Sequence, residues 1–432
     1  MTGSAAVEVG GDTAARQFYL RKTNDITMNE IQDFYQTRMC IIDEISFACY
    51  KKDLTILDKN LKSLTECNKY AFGKLPVIFL GDFYQLDPVS GTPIYTINNS
   101  ILWEQALTHM IELKGRHRFN QCRQWGNIMK NIRKVGLTEE DRKTINKMVV
   151  PKHSIPLKEQ FTMKAATFSN KNRAKWNRDI FMNYLKMYHS MEEKISVPTS
   201  AIIIKADMKW KRNVKNLHYG YRKMIFESYY DSDIITSDNK KIDPFLCLFD
   251  GSEVMLTEND DVQNGLANGT TATFKSLVMK QNAKLQKIRL NGYWVNTVSI
   301  DDVLQMELRY HDSEKFKGTF TIKPKTRSPI IRLSVKENEV SMKVATTIQI
   351  TQFMINLNYA TTAHKLQGKS VNKLIIAEWH GTQNYAYVLL SRVKTLSGLK
   401  LLKKIPDNYD CKPSYEAINM MERLRCRIQI LT

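Results

Sequence analysis

Two stretches, Cys40-Ile41-Ile42-Asp43-Glu44 and Leu80-Gly81-Asp82-Phe83-Tyr84-Gln85-Leu86-Asp87-Pro88, decide how this chain folds. Each stretch contains the end of an apolar run, and acidic residues follow it. This pattern is typical of a buried strand with acidic side chains at its C-terminal end. Between them, residues 50–68 carry leucines at helical spacing. Strand, helix and strand in this order predict a parallel sheet, whose ligands bind beyond the C-terminal ends of the strands.

The rest of the chain predicts further helices and strands. Residues 122–149 have helical periodicity, with Ile128, Ile132 and Val135 on one stripe and Thr138 as the N-cap of a second helix. Residues 170–189 predict another helix. Between about residues 240 and 350, short β-like runs separated by turns such as Asn291-Gly292 replace this pattern. The predicted strands there are 251–256, 269–274, 293–298 and 330–335, and helix and strand alternate again after residue 357.

The composition indicates a globular protein with several domains. A length of 432 residues exceeds what one hydrophobic core holds, and about 100–200 residues per domain predicts two to four domains. The 43% hydrophobic and 25% charged residues are ordinary for a soluble globular protein. Lys and Arg total 64 against 44 Asp and Glu, a net charge of +20. This excess favours a polyanionic partner, and a basic surface tuned for solubility is the alternative that charge alone leaves open.

Cysteine usage and hydropathy indicate a reducing, intracellular setting. The seven cysteines are odd in number and widely spaced, without a C-x-x-C pair, so neither a disulfide framework nor a zinc site is suggested. No apolar run approaches the roughly 18–20 residues that cross a bilayer. Residues 1–6 lack the basic and apolar regions of a secretion signal. We therefore expect no membrane partner.

The acidic pair and the glutamine that follows the second strand point to phosphoryl transfer. Such chemistry needs neutralised charge and an oriented water, which Asp43 could supply through Mg²⁺ and Glu44 through its carboxylate. A Gln just beyond a strand, such as Gln85, can donate to a γ-phosphate. The plain alternatives are an acidic helix start after a strand at Asp43-Glu44 and a simple turn between the breakers Gly81 and Pro88.

Taken together, these two stretches resemble motifs II and III of superfamily-one helicases of the RecD-like, Pif-type branch. Other segments resemble further motifs of that branch in the same order, and the resemblance spans nearly all of residues 1–403. These segments are Thr2-Gly3-Ser4-Ala5-Ala6 with Gly10-Gly11-Asp12-Thr13 for motif Ia, Arg116-His117-Arg118-Phe119 for motif IV, Leu256-Thr257-Glu258-Asn259 with Gly265-Leu266-Ala267-Asn268-Gly269-Thr270 before an SH3-like insert, Tyr359-Ala360-Thr361-Thr362-Ala363-His364-Lys365-Leu366-Gln367-Gly368 for motif V and Tyr387-Val388-Leu389-Leu390-Ser391-Arg392-Val393 for motif VI.

The resemblance implies an α/β fold of two RecA-like P-loop-NTPase lobes, with a small β-rich, SH3-like insert in the second lobe and a first lobe that is incomplete at its N-terminus. The implied boundaries are 1–112 for the first lobe, 113–272 and 346–403 for the second lobe, 273–345 for the insert and 404–432 for a basic C-terminal tail. The tail resembles nothing in the family, and it could cap the second lobe or bind nucleic acid.

The resemblance also implies site residues, with ATP and Mg²⁺ as cofactors. Asp43 would bind the metal and Glu44 would polarise water. Gln85 and Arg392 would contact the γ-phosphate, Arg392 as an arginine finger typically worth about 10³–10⁵ in rate; its alternative is a surface Arg at a helix C-terminus. The remaining implied residues are Arg118 at the phosphates, Gln367 and Gly368 at the nucleotide, and His364, Lys365, Thr2 and Gly3 at the DNA strand.

Three aromatic residues near these motifs allow two interpretations. Phe83, Tyr84 and Trp103 could form a platform on which bases stack, each stacked base being worth about 1–3 kcal/mol. Aromatic residues beside buried strands pack into the core more often than they bind bases. The sequence leaves both possibilities open.

The chain departs from the family pattern at its phosphate-binding loop. ATP binding in this family uses G-x-x-x-x-G-K-[ST], a loop whose N–H groups wrap the phosphates. The single Gly368-Lys369-Ser370 stretch has Ala363 where the first Gly is needed and already belongs to motif V. Ala15 also stands where relatives usually carry His. We expect that the chain is truncated ahead of motif Ia, that an apolar strand edge is left unpaired, and that ATP hydrolysis is poor.

The resemblance therefore implies an ATP-dependent DNA helicase that moves 5′ to 3′ on single-stranded DNA and acts in replication, repair or recombination. Single-stranded DNA or a forked duplex is the expected partner, and a monomer the expected state. The expected compartment is the nucleus or mitochondrion in a eukaryote, and otherwise the cytoplasm or a virus. Two alternatives stay open, a non-catalytic nucleic-acid-binding remnant and an RNA-directed viral helicase.

Overall fold

The computed structural model divides the chain into two compact units. Unit 1 comprises Met1–Ser154 with Ala363–Thr432, and unit 2 comprises Ile155–Thr362. Both units contain helices and strands, which confirms the predicted α/β class. The lobe boundaries implied by the resemblance stay a prediction. The structure describes residues 6, 10–89, 91–97, 100–113, 117–191, 201–210, 242–311, 316–337, 340–409, 411–427 and 429–431.

Unit 1 holds most of the predicted site residues, and its elements come from both ends of the chain. Its helices are α1 (Ala14–Gln17), α2 (Met28–Phe34), α3 (Thr55–Leu64), α4 (Arg123–Lys134), α5 (Glu139–Asn146), α8 (Ala363–Leu366), α9 (Tyr385–Leu390) and α10 (Tyr415–Arg427). Its strands are β1 (Cys40–Ile42), β2 (Val77–Phe79), β3 (His109–Ile111), β19 (Leu374–Ile376), β20 (Leu399–Leu401) and β21 (Gln429–Leu431). Short 3₁₀ turns occur at Ile45–Phe47, Ala71–Lys74, Ile94–Thr96, His117–Phe119, Lys152–Ser154 and Leu396–Gly398, and π-helical turns at Tyr50–Leu54 and Ile101–Gln105.

The predicted parallel pair of strands is confirmed. Strands β1 and β2 pair in parallel with Ile41 opposite Ile78. Among the described residues, β2 has no strand on its other side, so the expected open edge is present in that part of the chain. Ile41 is 59% and Ile78 44% exposed, which leaves one face of the pair apolar and accessible.

The helix between these strands buries its leucine stripe, as predicted. It begins with the π-helical turn Tyr50–Leu54 and continues as α3. All the stripe leucines are buried, and Asp58 on the same helix accepts a hydrogen bond from the Phe72 backbone N–H at 2.7 Å. The acceptor fixes the chain as it enters β2. The stripe leucines are Leu54, Leu57, Leu61 and Leu64.

Helices α4 and α5 confirm the predicted pair in residues 122–149. Thr138 caps α5 by accepting from the Asp141 backbone N–H at 3.1 Å, and Ile128 and Ile132 are buried. Val135 was expected on the same stripe, but that expectation is wrong. Helix α4 ends at Lys134, and Val135 lies beyond its last turn with 64% of its surface exposed.

The C-terminal residues pack on the core that contains β1, β2 and α3. Helix α10 contributes Ala417, Met420 and Leu424 to this core, and β21 pairs in parallel with β3. Arg423 donates to the fully buried carboxylate of Glu104 at 2.8 and 3.1 Å. The tail is thus a structural element of unit 1.

Unit 2 consists mainly of antiparallel sheets around an aromatic cluster. Tyr184 and Phe249 stack at 4.1 Å between ring centroids, and Arg327 forms a bidentate ion pair with Glu258. Residues 273–345, the predicted insert, are rich in strands. The unit contains α6 (Leu157–Gln160), α7 (Asn170–Met191), a 3₁₀ turn at Ile300–Asp302, β4 (Lys164–Thr167), β5 (Ala201–Lys205), β6 (Asp207–Trp210), β7 (Phe245–Phe249), β8 (Glu253–Leu256), β9 (Thr271–Met279), β10 (Gln286–Leu290), β11 (Tyr293–Ser299), β12 (Val303–Tyr310), β13 (Thr319–Ile322), β14 (Lys325–Arg327), β15 (Ile330–Glu337), β16 (Val340–Gln352), β17 (Ile355–Leu357) and β18 (Ala360–Thr362).

The strands of unit 2 form several sheets, and a two-residue turn joins two neighbouring strands of one of them. One sheet has the order β10-β11-β5-β7 and another β13-β12-β9-β8-β17, while β16 lies between β14 and β15 and also pairs with β6; β18 pairs with β4 in parallel. Asn291 and Gly292 have φ values of 46° and 91°. That conformation suits the two-residue hairpin between β10 and β11, and the predicted turn is confirmed.

None of the described helices combines the length and the apolar character that a bilayer crossing requires. The seven cysteines, all within the described residues, form no disulfide bond.

The Arg423 contact predicts how far the C-terminal helix stabilises unit 1. Arg423→Met removes two hydrogen bonds from a fully buried carboxylate, and we expect the free energy of unfolding to fall by about 3 kcal/mol. Arg425→Met is the matched control, because Glu112, the partner of Arg425, is 33% exposed, and this change should cost less than about 1 kcal/mol. Urea unfolding of both variants measures the difference. Equal losses would contradict a docked tail.

Candidate active site

The turn after β1 carries Asp43 and Glu44. Asp43 Oδ1 accepts from the Glu44 backbone N–H at 2.8 Å, and the next N–H, of Ile45, donates to the Leu80 carbonyl at 2.9 Å. Glu44 has φ 55° and ψ 45°. This left-handed conformation costs a non-glycine residue about 1 kcal/mol, and residues that adopt it collect at functional sites. The sequence contained no signal for this strain.

Residues after helix α8 close over Glu44. Gln367, which is 8% exposed, donates from Nε2 to Glu44 Oε2 at 3.2 Å and lies 3.5 Å from Ser46 Oγ. Gly368 has φ 78°, and a Cβ atom there would lie 3.1 Å from Glu44 Oε1. Only glycine combines this backbone conformation with so close an approach to the carboxylate. The structure therefore brings Glu44, Gln367 and Gly368 together.

The electrostatic environment of Glu44 raises the pKa of its carboxyl group. Burial is the largest influence and raises the pKa of Glu44; the hydrogen bond from Gln367 lowers it, and the charge of Asp43 raises it again. A carboxylate that polarises water works best when its pKa lies closer to the working pH than that of an ordinary glutamate. The surroundings of Glu44 therefore suit that role.

Gln85 lies in a tight turn built on Asp82. Asp82 Oδ1 accepts from the Tyr84 N–H at 3.0 Å, and the Asp82 carbonyl accepts from the Gln85 N–H at 3.1 Å. The Gln85 carbonyl accepts from Asn384 Nδ2 at 2.9 Å. Its side-chain Oε1 is buried and accepts no hydrogen bond within the described residues. A buried amide oxygen without a donor is uncommon, and this one could still accept a hydrogen bond from a water or another donor.

Arg133 and Tyr387 contact the second carboxylate oxygen of Asp82, Oδ2. Arg133 Nη1 donates to Asp82 Oδ2 at 2.5 Å and to the Tyr387 hydroxyl at 2.7 Å, and that hydroxyl lies 3.4 Å from Asp82 Oδ2. The guanidinium lies 4.9 Å from the ring centroid of Tyr84 and 5.5 Å from that of Tyr387. Burial is the largest single influence and opposes the charge of Arg133, but Asp82 and Tyr387 together outweigh burial and raise the pKa of Arg133.

Arg392 is buried, with 1% of its surface exposed. Its guanidinium donates to the carbonyl oxygens of Val388, Leu366 and Lys369 at 2.8 to 3.3 Å and to the Ser391 hydroxyl at 2.7 Å. Burial, reinforced by the charge of Arg118, lowers its pKa to about 10. Arg392 therefore remains charged and holds the ends of α8 and α9 together. A role as an arginine finger stays a prediction, and it would require the guanidinium to exchange these acceptors for a phosphate.

Arg118 and His364 lie at the margins of this site. Arg118 is half-buried and donates to the Ser391 carbonyl at 3.2 Å. His364 lies with its ring centroid 6.5 Å from that of Phe47, and burial lowers its pKa. Lys365 is half-buried on α8. Thr2 and Gly3, which were expected to bind the DNA strand, lie outside the described residues.

The proposed aromatic platform is wrong for two of its three members. Phe83 is 9% and Trp103 3% exposed, and their rings meet edge to face at 5.6 Å between centroids. Burial in the core leaves neither face of these rings available to a base. Tyr84 is half-buried and contacts Arg133, so its ring supports the turn that carries Gln85.

Sequence reasoning missed Arg133 and Asn384. Arg133 stands in the last turn of α4, where a basic residue is expected for its interaction with the helix dipole alone. Its partner Asp82 is 51 residues away. No local pattern could have paired Arg133 with Asp82. Tyr387, which also contacts Arg133, did lie within the stretch that resembles motif VI.

Comparison with known proteins agrees with this geometry. Residues 4–142 match the PIF1-like helicase family model. The chain is 25% identical over 390 residues to "ATP-dependent DNA helicase Pif1" of Psychrobacter sp. strain PRwf-1, covering 85% of this chain and 53% of that protein. It is 22% identical over 494 residues to "ATP-dependent DNA helicase RRM3" of Saccharomyces cerevisiae, covering 98% of this chain and 61% of the relative. The chain is therefore similar in sequence to Pif1-type helicases.

Solved structures show that the fold is also that of Pif1 helicases. The Bacteroides Pif1 helicase in complex with ADP-AlF3 and ssDNA matches with a TM-score of 0.67 at 21% identity, covering 99% of this chain and 86% of that one. Pif1 helicase from Candida albicans matches with a TM-score of 0.62 at 18% identity, covering 98% and 87%. The chain spans about half to three fifths of the length of the two curated relatives above.

If Glu44 has the role that the resemblance implies, its hydrogen bond with Gln367 predicts a shift in the pH dependence of phosphate release. Because the pKa of Glu44 is raised, the reactive carboxylate is lost on acidification at a higher pH than for an ordinary glutamate. Gln367→Ala removes a donor that stabilises the carboxylate, so we expect the acid limb of the rate profile to move to still higher pH. Gln124→Ala, on an exposed position of α4, is the control. An unmoved limb in Gln367→Ala would contradict this assignment.

Proposed function

We propose that this chain is a nucleotide-driven motor that moves along single-stranded DNA, the ATP-dependent DNA helicase that its sequence resembles. One observation carries the proposal. Within unit 1, Glu44 accepts a hydrogen bond from Gln367, which follows α8, and the neighbouring Ile45 N–H donates to Leu80, which leads into the turn that carries Gln85. Pif1 relatives share the fold, and their names describe them as ATP-dependent DNA helicases.

The residues present fit the γ-phosphate and metal end of ATP. The side chain of Gln85 can donate to a γ-phosphate from its Nε2 group. The buried Oε1 atoms of Gln85 and Gln367, which accept no hydrogen bond within the described residues, could accept from a water beside the phosphate. Asp43 supplies a carboxylate at the end of β1, and Arg118 a half-exposed guanidinium. Mg²⁺ between the phosphates would neutralise charge that develops during phosphoryl transfer. Among the described residues, no group of three or more His, Cys, Asp or Glu side chains could hold a metal, so phosphate oxygens or water would complete its shell.

The proposed roles follow from these positions. Asp43 would hold Mg²⁺, and Glu44 would orient the attacking water and take its proton. Gln85 and Arg118 would contact the γ-phosphate. Arg392 supports this arrangement in its observed position by fixing the ends of α8 and α9, and it would reach the phosphate only after a rearrangement.

Single-stranded DNA is the proposed track. The net charge of +20 provides the long-range attraction, and His364 and Lys365 on α8 stand next to the Gln367 that contacts Glu44. This adjacency would let strand contacts change the nucleotide site. Movement from 5′ to 3′, a role in DNA maintenance and a nuclear or mitochondrial compartment in a eukaryote are part of the same proposal, and they rest on the resemblance.

A Glu44→Gln comparison tests the function. We expect phosphate release that is stimulated by single-stranded DNA, slower than the usual range of about 1–100 s⁻¹ for such motors, and absent in Glu44→Gln. Glu66→Gln is the matched control, because Glu66 has nearly the same backbone φ of 54° but is exposed. Loss in both variants, or in neither, would contradict the proposal.

DNA affinity separates the motor from a non-catalytic remnant. Both should bind single-stranded DNA, with affinity falling steeply between about 50 and 200 mM salt. Glu44→Gln should keep that affinity, because it removes no phosphate-binding cation. DNA binding without any Glu44-dependent release would favour the remnant, and preferential binding of RNA in competition would favour an RNA-directed motor.

A further inference from the structure

We infer that Arg133 is a positioning residue that holds the Asp82 turn against helix α9 and so sets the place of Gln85. The inference rests on the proposed function, since Gln85 matters only if a γ-phosphate binds there. Arg133 does not itself reach the proposed reacting groups in this structure. Its contacts are with Asp82, Tyr84 and Tyr387.

The first step is the dependence of Gln85 on Asp82. One carboxylate oxygen of Asp82 accepts a hydrogen bond from the Tyr84 N–H, and the backbone carbonyl of Asp82 accepts one from the Gln85 N–H. These two bonds define the turn. Without a partner on its second oxygen, the carboxylate could rotate and leave the Tyr84 N–H, and the backbone at Gln85 would follow.

The second step is that Arg133 occupies this second oxygen and links it to α9. One nitrogen, Nη1, donates to both Asp82 and the Tyr387 hydroxyl. The flat cation also lies between two aromatic rings, Tyr84 from the turn and Tyr387 from α9. An Arg can form the ion pair and the two ring contacts at once, whereas a Lys presents a single point charge on a flexible stem.

The third step is that α9 joins the turn to the remainder of the site. Asn384, at the start of α9, donates to the Gln85 carbonyl, and Arg392 just beyond its end binds the Leu366 carbonyl of α8. Gln367 follows and binds Glu44. Arg133 therefore fixes the turn that carries Gln85, whose buried side-chain oxygen accepts no hydrogen bond within the described residues.

A surface ion pair with a purely structural role is the competing explanation. The side chains of Arg133 and Asp82 are 40% and 20% exposed, and pairs with such exposure contribute little to stability. A structural role therefore predicts small effects everywhere. A positioning role predicts a large effect on turnover and a local effect at the turn.

The test uses the full chain with four substitutions. Arg133→Gln and Asp82→Asn remove the pair singly, the double variant removes both, and Arg133→Lys keeps the charge. Lys130→Gln, an exposed residue of the same helix, is the control. Measured quantities are kcat and KM for DNA-stimulated phosphate release, the thermal unfolding temperature, and hydrogen exchange of residues 81–88 and 384–391.

We expect Arg133→Gln to lower kcat by about ten- to a hundredfold, the cost of a small misplacement, with little change in KM. The double variant should lose no more than the worse single variant, because the two side chains act as a unit. The unfolding temperature should change little in all of these variants, and Arg133→Lys should not recover kcat although it keeps the charge. Exchange should rise in residues 81–88 and 384–391 and stay unchanged elsewhere.

The outcomes separate this inference from the proposed function. If the wild-type chain shows no Glu44-dependent release, the proposed function falls and this inference with it. If the wild type releases phosphate and Arg133→Gln does so equally well, the inference alone is overturned. It is also overturned if kcat follows the folded fraction, or if exchange rises throughout unit 1.

Discussion

The hydrogen bond from Gln367 to Glu44 is the contact on which the site depends. It joins residues 323 positions apart. The chain passes through all of unit 2 between these two residues and then returns to unit 1. The entropic cost of closing so long a loop grows only slowly with its length. The contact can therefore be stabilised by the neighbouring core, in which β1, α3 and the C-terminal α10 pack together.

Around that contact, buried polar groups form hydrogen bonds and ion pairs with one another. Arg392 donates to carbonyl oxygens at the ends of two short helices. Without this donor the oxygens would be buried and unpaired, which costs considerable free energy. Asp82 and Arg133 pair beside the neighbouring turn. Two exceptions among the motif residues are the side-chain oxygens of Gln85 and Gln367, for which the described residues provide no donor.

Local patterns were sufficient to predict the parts of the fold that depend on them. Apolar runs predicted β1 and β2, the Thr138 cap predicted the start of α5, and Asn291-Gly292 predicted a hairpin. Position relative to distant residues was not predictable in this way. The burial of Phe83 and Trp103, the enclosed guanidinium of Arg392, the role of Arg133 and the docking of the C-terminal helix all depend on partners far away in the sequence. For the candidate site, motif order indicated which residues matter, but tertiary packing decides which of their atoms are available.

The most direct measurement is an experimental structure of the chain with Mg²⁺, ADP, aluminium fluoride and a single-stranded oligonucleotide. This account predicts that the fluoride lies within hydrogen-bonding distance of the Gln85 and Arg118 side chains, with Mg²⁺ nearest Asp43 and Gln367 still on Glu44. A nucleotide bound elsewhere, or Glu44 and Gln367 facing different surfaces, would contradict it.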